Sequence, residues 1–157
     1  MSEPVIHMLM RVRADLAARE DVGVVLRAVC KVVERVHATS GLEWRVVSAF
    51  NEAFNNVVEH AYAPEHPGEA CIEVTVDSAR LVLELRDNGR GFDFEARVRE
   101  SLPEVDSLDE GGMGLFIIRN AMSSVSYERG APNRLRMTQD LSAIRGASDP
   151  NEEASRC

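Results

Sequence analysis

A chain of 157 residues, 45% apolar and 28% charged, is long enough for one domain with a proper core and has the balance of a soluble globular protein. Acids outnumber bases 26 to 18, and the formal net charge of −8 argues against direct nucleic-acid binding, which needs a basic surface. Cys30, Cys71 and Cys157 are scattered, odd in number and form no CxxC pair; with no apolar run near the ~18 residues of a membrane span and no signal-peptide pattern, the expected setting is the cytoplasm, away from membranes.

In chain order, Val5–Leu16 alternates enough to predict a first strand. A helix follows, with Val22, Val25, Leu26, Val29, Val32, Val33 and Val36 at helical spacing and Gly41 closing it, although so many valines oppose a helix. In the second helix Phe50, Ala53, Phe54, Val57, Val58 and Ala61 fall at i, i+3, i+4, i+7, i+8 and i+11, and Pro64 ends it. ACIEVTVDS and RLVLELRD alternate in period two, placing Ile72, Val74, Val76, Leu81, Leu83 and Leu85 on one face of an antiparallel hairpin. Residues 94–110 read as a polar loop with room for one short helix. GGMGLFIIRNAMSSV reads as glycines opening a helix, and VSYERG and RLRMTQDL as a closing pair of strands. The sum is an α+β fold, a mainly antiparallel sheet with helices on one face, over residues 5–141, with a disordered tail at 142–157.

Three stretches carry chemical information. In NEAFNNVVEH, Glu52, Asn56 and His60 lie at i, i+4 and i+8, on one helix edge beside the core-facing stripe; such an edge either faces solvent or lines the rim of a pocket. DNGRG, directly after a strand, is either an ordinary Asp-Asn-Gly turn or a place where Gly89 and Gly91 let backbone approach a ligand. GGMGL is either a flexible loop or a helix start whose N–H groups and dipole suit a phosphate. GxxxxGK[ST] is absent, so this is not a P-loop.

In this order the three stretches resemble the GHKL ATP-binding fold shared by gyrase, sensor histidine kinases and mismatch-repair ATPases. Within it they are most similar to bacterial anti-sigma factor serine/threonine kinases: NEAFNNVVEHAY resembles the N box, DNGRGFD the G1 box and GGMGLFIIRNAMSSV the G2 box. The resemblance implies ATP and Mg2+ as cofactors. It implies Asn56 as the magnesium ligand and Glu52 as the general base on a substrate hydroxyl. Asp87 would accept from the adenine amine, with Gly89 and Gly91 passing under the base and Gly112 and Gly114 giving N–H groups to the phosphates. Thr138 would stand near the adenine, and Asn55 and His60 would be supporting residues. The implied partners are a STAS-type anti-anti-sigma protein as substrate and a sigma factor held in sequestration; a homodimer is left open. A short lid from Phe92 to Glu110, and no room for a phosphoaccepting helical hairpin, favour the kinase branch. The alternative is an ATP-dependent binding module with little turnover.

Overall fold

The computed structural model describes residues 5–92 and 110–144, with backbone alone at 110–113. The elements are β1 (Ile6–Arg13), α1 (Leu16–His37), α2 (Leu42–Asn56), β2 (Glu69–Val76), β3 (Arg80–Asp87), α3 (Glu110–Ala121), β4 (Ser124–Glu128) and β5 (Asn133–Asp140). The strands form one antiparallel sheet in the order β1-β2-β3-β5-β4. The expected α+β arrangement is therefore present. Ile72, Val74, Val76, Leu81, Leu83 and Leu85 all point from the hairpin into the core, because the two-residue period puts every second side chain on the helix side.

α1 starts where Asp15 accepts the Ala18 N–H at 2.8 Å, and it ends at Ala38 in a left-handed turn. Gly41, expected to close α1, instead precedes α2 with φ 77°. The valine-rich helix forms despite its weak propensity because Val22, Leu26, Val29, Cys30 and Val33 bury one face. That face is narrower than the sequence pattern suggested: Val32 and Val36 are exposed. α2 buries Phe50, Ala53 and Phe54 between α1 and α3, the two phenyl rings 5.4 Å apart. The Arg45 guanidinium on α2 donates to the Ala121 carbonyl at the end of α3, tying those helices at the carbonyl end where a cation is favoured.

The opposite face of the sheet has no helix over it among the described elements. There Arg86 pairs with Glu84 at 2.7 Å and with Glu73 at 3.5 Å. Past β5, Ser142–Ile144 make a 3-10 turn with Ile144 buried, so the first residues assigned to the tail are packed on the domain. Residues 145–157, and the loop expected at 94–110 apart from Glu110, lie outside the described residues.

Candidate nucleotide-binding site

α2 does not run on as an α-helix to Pro64. After Asn56 it widens into a π turn, Val57–Ala61, a distortion that is frequent at functional sites. Asn56 and His60, at the two ends of this step, line a cleft between the end of the helix and the sheet. The cleft holds about 400 Å³ of space, part of it open to solvent, and its other walls include Asp87, Arg90, Phe92 and Tyr127. Asn56, His60 and Asp87 thus come together although the last is on a different element. Of the two readings of the helix edge, the pocket rim applies to Asn56 and His60.

Asp87 ends β3 and is almost fully buried. Its Oδ1 accepts the Gly89 N–H at 2.9 Å and the Asn133 Nδ2–H at 3.1 Å. Gly89 is constrained by packing: a Cβ there would collide with the Ala61 carbonyl, and the next N–H, from Arg90, donates to that same carbonyl at 2.7 Å. The turn is thereby fixed against the end of the helix. A Cβ on Gly91 would come within 2.8 Å of Asn133 Oδ1. Tyr62 fastens the same corner from outside, accepting the Asn88 N–H at 2.9 Å and donating to the Glu69 carbonyl at 2.7 Å. Burial raises its pKa above the usual 10.0, and the neighbouring Asp87 and Glu69 add to the rise.

The far wall is aromatic. Phe92 and Tyr127 stack with centroids 4.6 Å apart, and burial pushes the Tyr127 hydroxyl pKa up from 10.0. Such a wall suits a flat, apolar-faced ligand, and Asp87 supplies an acceptor at its edge.

Glu52 lies one turn before Asn56 and is not part of this cleft lining. Its Oε2 sits against α3, 2.9 Å from where a Cβ on Gly114 would be. Gly114 therefore has a local reason to be glycine: it leaves room for the carboxylate. Gly112 lies in the first turn of α3, whose N–H groups have no partner within the helix, whereas Gly114 lies just past that turn and its N–H belongs to the helix ladder. Asn55 accepts from Arg19 of α1 at 2.6 Å, a contact on the α1 side of the helix.

Thr138 does not belong with this group. In β5 it alternates with Leu135, Met137 and Gln139, which are buried on the helix side, and its register partners are Val82 and Ser124 on the open face. A hydroxyl there points away from the cleft. The residues that sequence reasoning did not single out are Asn133, Arg90, Phe92 and Tyr127. Asn133 falls between the stretches read as the two closing strands, and its bond to Asp87 spans 46 positions, a pairing that no local pattern encodes. Among the described residues no cluster of His, Cys, Asp and Glu forms a metal site, and no helix is long and apolar enough to cross a membrane.

The family model of the histidine kinase-like ATPase domain matches residues 16–139. The chain is 31% identical to the serine-protein kinase RsbW of Bacillus velezensis over 150 residues, 92% of each chain. It is 31% identical to the RsbW of Bacillus subtilis over 134 residues, covering 82% of this chain and 84% of that one. In fold it is similar to a chain of the SiaB–SiaC complex from Pseudomonas aeruginosa, with a TM-score of 0.57 at 19% identity over 83% of this chain and 88% of the other.

Proposed function

The chain belongs to the histidine kinase-like ATPase family, and from that premise we infer that it is an anti-sigma-factor-type protein serine/threonine kinase. It uses ATP with magnesium, phosphorylates a STAS-type anti-anti-sigma protein in the cytoplasm, and sequesters a sigma factor. The observation that carries this reading is the cleft: a buried, doubly held carboxylate at one end, the Asn56 carboxamide at the other, and a further carboxylate, Glu52, one helical turn beyond Asn56.

The residues present fit a nucleotide. The Phe92–Tyr127 wall matches a purine face, and Asp87 is an acceptor with no competing cation bonded to it among the described residues. Bound Mg-ATP supplies the electrophilic γ-phosphorus. Asp87 would accept a hydrogen bond from the exocyclic amine and so select adenine over guanine, which presents a carbonyl at that position. Gly89 and Gly91 keep the turn low beneath the base. Asn56 offers its carboxamide oxygen to the metal, and Gly112 offers a first-turn N–H to phosphate oxygen. Arg90 and His60, on the cleft wall, would offer donors to a bound nucleotide. With Mg-ATP bound, Glu52 would accept the proton of the substrate hydroxyl as that oxygen bonds to the γ-phosphorus, while the bond from phosphorus to the β–γ bridging oxygen breaks and ADP leaves. Gly114 contributes by giving that carboxylate space against α3.

Calorimetry with ATP and GTP, each with and without magnesium, tests the nucleotide part. The parent protein binds ATP tightly only with magnesium and binds GTP poorly. Asn56→Ala keeps the helix, since alanine is the best helix former, and loses the magnesium dependence. A folded Asn56→Ala protein with parental, magnesium-dependent ATP binding would show that Asn56 is not the metal ligand.

A further inference from the structure

We propose that Asn133 is the positioning residue for base recognition: it fixes the Asp87 carboxylate so that Oδ2 is turned to the nucleobase. The proposal rests on the reading of Asp87 as the adenine acceptor and extends it to a residue from a different strand.

Asn133 is 1% exposed, and every polar atom of its side chain is used. Its Oδ1 accepts the Gly130 N–H at 3.0 Å. Its Nδ2 donates to Asp87 Oδ1 at 3.1 Å and to the Gly89 carbonyl at 3.0 Å. These three bonds settle which end of the amide is which, because an N–H must meet an acceptor and a carboxylate must meet a donor. They also distinguish the device from an ordinary turn. Any Asp-x-Gly turn can give its aspartate the local bond from Gly89, and one bond still lets the carboxylate rotate and exchange its oxygens. The second donor, from β5, fixes the carboxylate plane. Both bonds end on Oδ1, which leaves Oδ2 as the oxygen available to a ligand in the cleft.

Two neighbours fit the same account. Gly91 leaves space for the Arg129 side chain and the Asn133 carboxamide; a Cβ at 91 would lie 2.5 Å from Arg129 Cγ and 2.8 Å from Asn133 Oδ1. The Gly89 carbonyl is held by the same Nδ2, so the turn and the carboxylate move as one unit.

The test compares ATP with purine riboside triphosphate, which is ATP without its exocyclic amine, as ligands of the parent, Asn133→Ala and Asn133→Asp. Asn133→Asp keeps the shape and the acceptor for Gly130 but puts an oxygen where the donor was. The readout is the ratio of the two affinities. Partial unfolding lowers both affinities by one factor and leaves the ratio unchanged, so a purely structural role for Asn133 does not move it. The parent should prefer ATP by roughly ten- to a hundredfold, the worth of a hydrogen bond to a charged group. Both variants should show a preference within about threefold, with their need for magnesium intact. A parent that discriminates, with variants that discriminate equally, would overturn the positioning role and leave the Asp87 reading standing. A parent that does not discriminate would overturn the Asp87 reading itself, and the role of Asn133 with it.

Discussion

Asp87 shows how much of a binding group's behaviour is decided by atoms other than its own. A carboxylate on a free turn would be solvated and mobile; here two N–H donors hold one oxygen of a residue that lines the cleft. Loss of such a hydrogen bond from a charged acceptor costs about 1.5–3 kcal/mol. Asp87→Ala should therefore weaken ATP binding by roughly ten- to over a hundredfold, read by calorimetry, while GTP binding stays poor. Unchanged ATP affinity in the variant would remove this carboxylate from the site. The glycines around it are equally specific to their neighbours. Gly89 meets the Ala61 carbonyl, Gly91 meets Asn133 and Gly114 meets Glu52, so each has a packing reason alongside any contact with ligand.

At the scale of elements, α2 is the part on which both core and site depend. Its inner face buries Phe50 and Phe54 completely, and its last turn opens into the π step that brings Asn56 and His60 to the cleft. Phe54→Ala should destabilise the fold by about 3–5 kcal/mol in a urea titration, because the cavity left behind adds to the lost burial. Val36→Ala should change it by no more than about 0.5 kcal/mol, since Val36 already faces solvent. Equal effects at the two positions would mean that the burial assigned to α2 is wrong. This helix as far as Asn56 and the β2–β3 hairpin were readable in the sequence because their periods run unbroken over those spans and their partners lie on the same element or the next. The face of a strand residue was readable only once its register was known: Thr138 and Met137 are neighbours in sequence and lie on opposite sides of the sheet. The π turn left no signature, because inserting one residue into a helical repeat alters no residue type. Asn133 was hidden for a different reason, its partner being supplied by another strand.

For the molecule as a whole, one sheet carries the helices and the cleft on one side and, on the other, a charged face with no helix over it among the described residues. Its stability has a direction in pH. Burial, reinforced by Glu34 and Glu43, pushes the Cys30 thiol from 9.0 up to about 12, and burial raises Tyr62 and Tyr127 as well. Folding favours the neutral forms, so their contribution is fully present below pH 9 and is lost as pH rises toward the folded-state values. The melting temperature should hold from pH 7 to 9 and fall above it, and Cys30 should resist alkylation at pH 8 until the chain is unfolded; a flat profile through pH 11 would contradict this. On the proposed reading, phosphotransfer would depend on Glu52, which stands beside Gly114 and one turn from the Asn56 carboxamide. Phosphotransfer from radiolabelled ATP to a purified STAS-type partner, measured for the parent and for Glu52→Ala alongside ATP binding on the same samples, tests the central claim most directly. The parent should transfer phosphate, and the variant should bind ATP as before while transferring about 10²–10⁴-fold more slowly. Robust transfer by Glu52→Ala would contradict the base assignment, and a parent that binds both ATP and partner but transfers nothing would contradict the kinase itself.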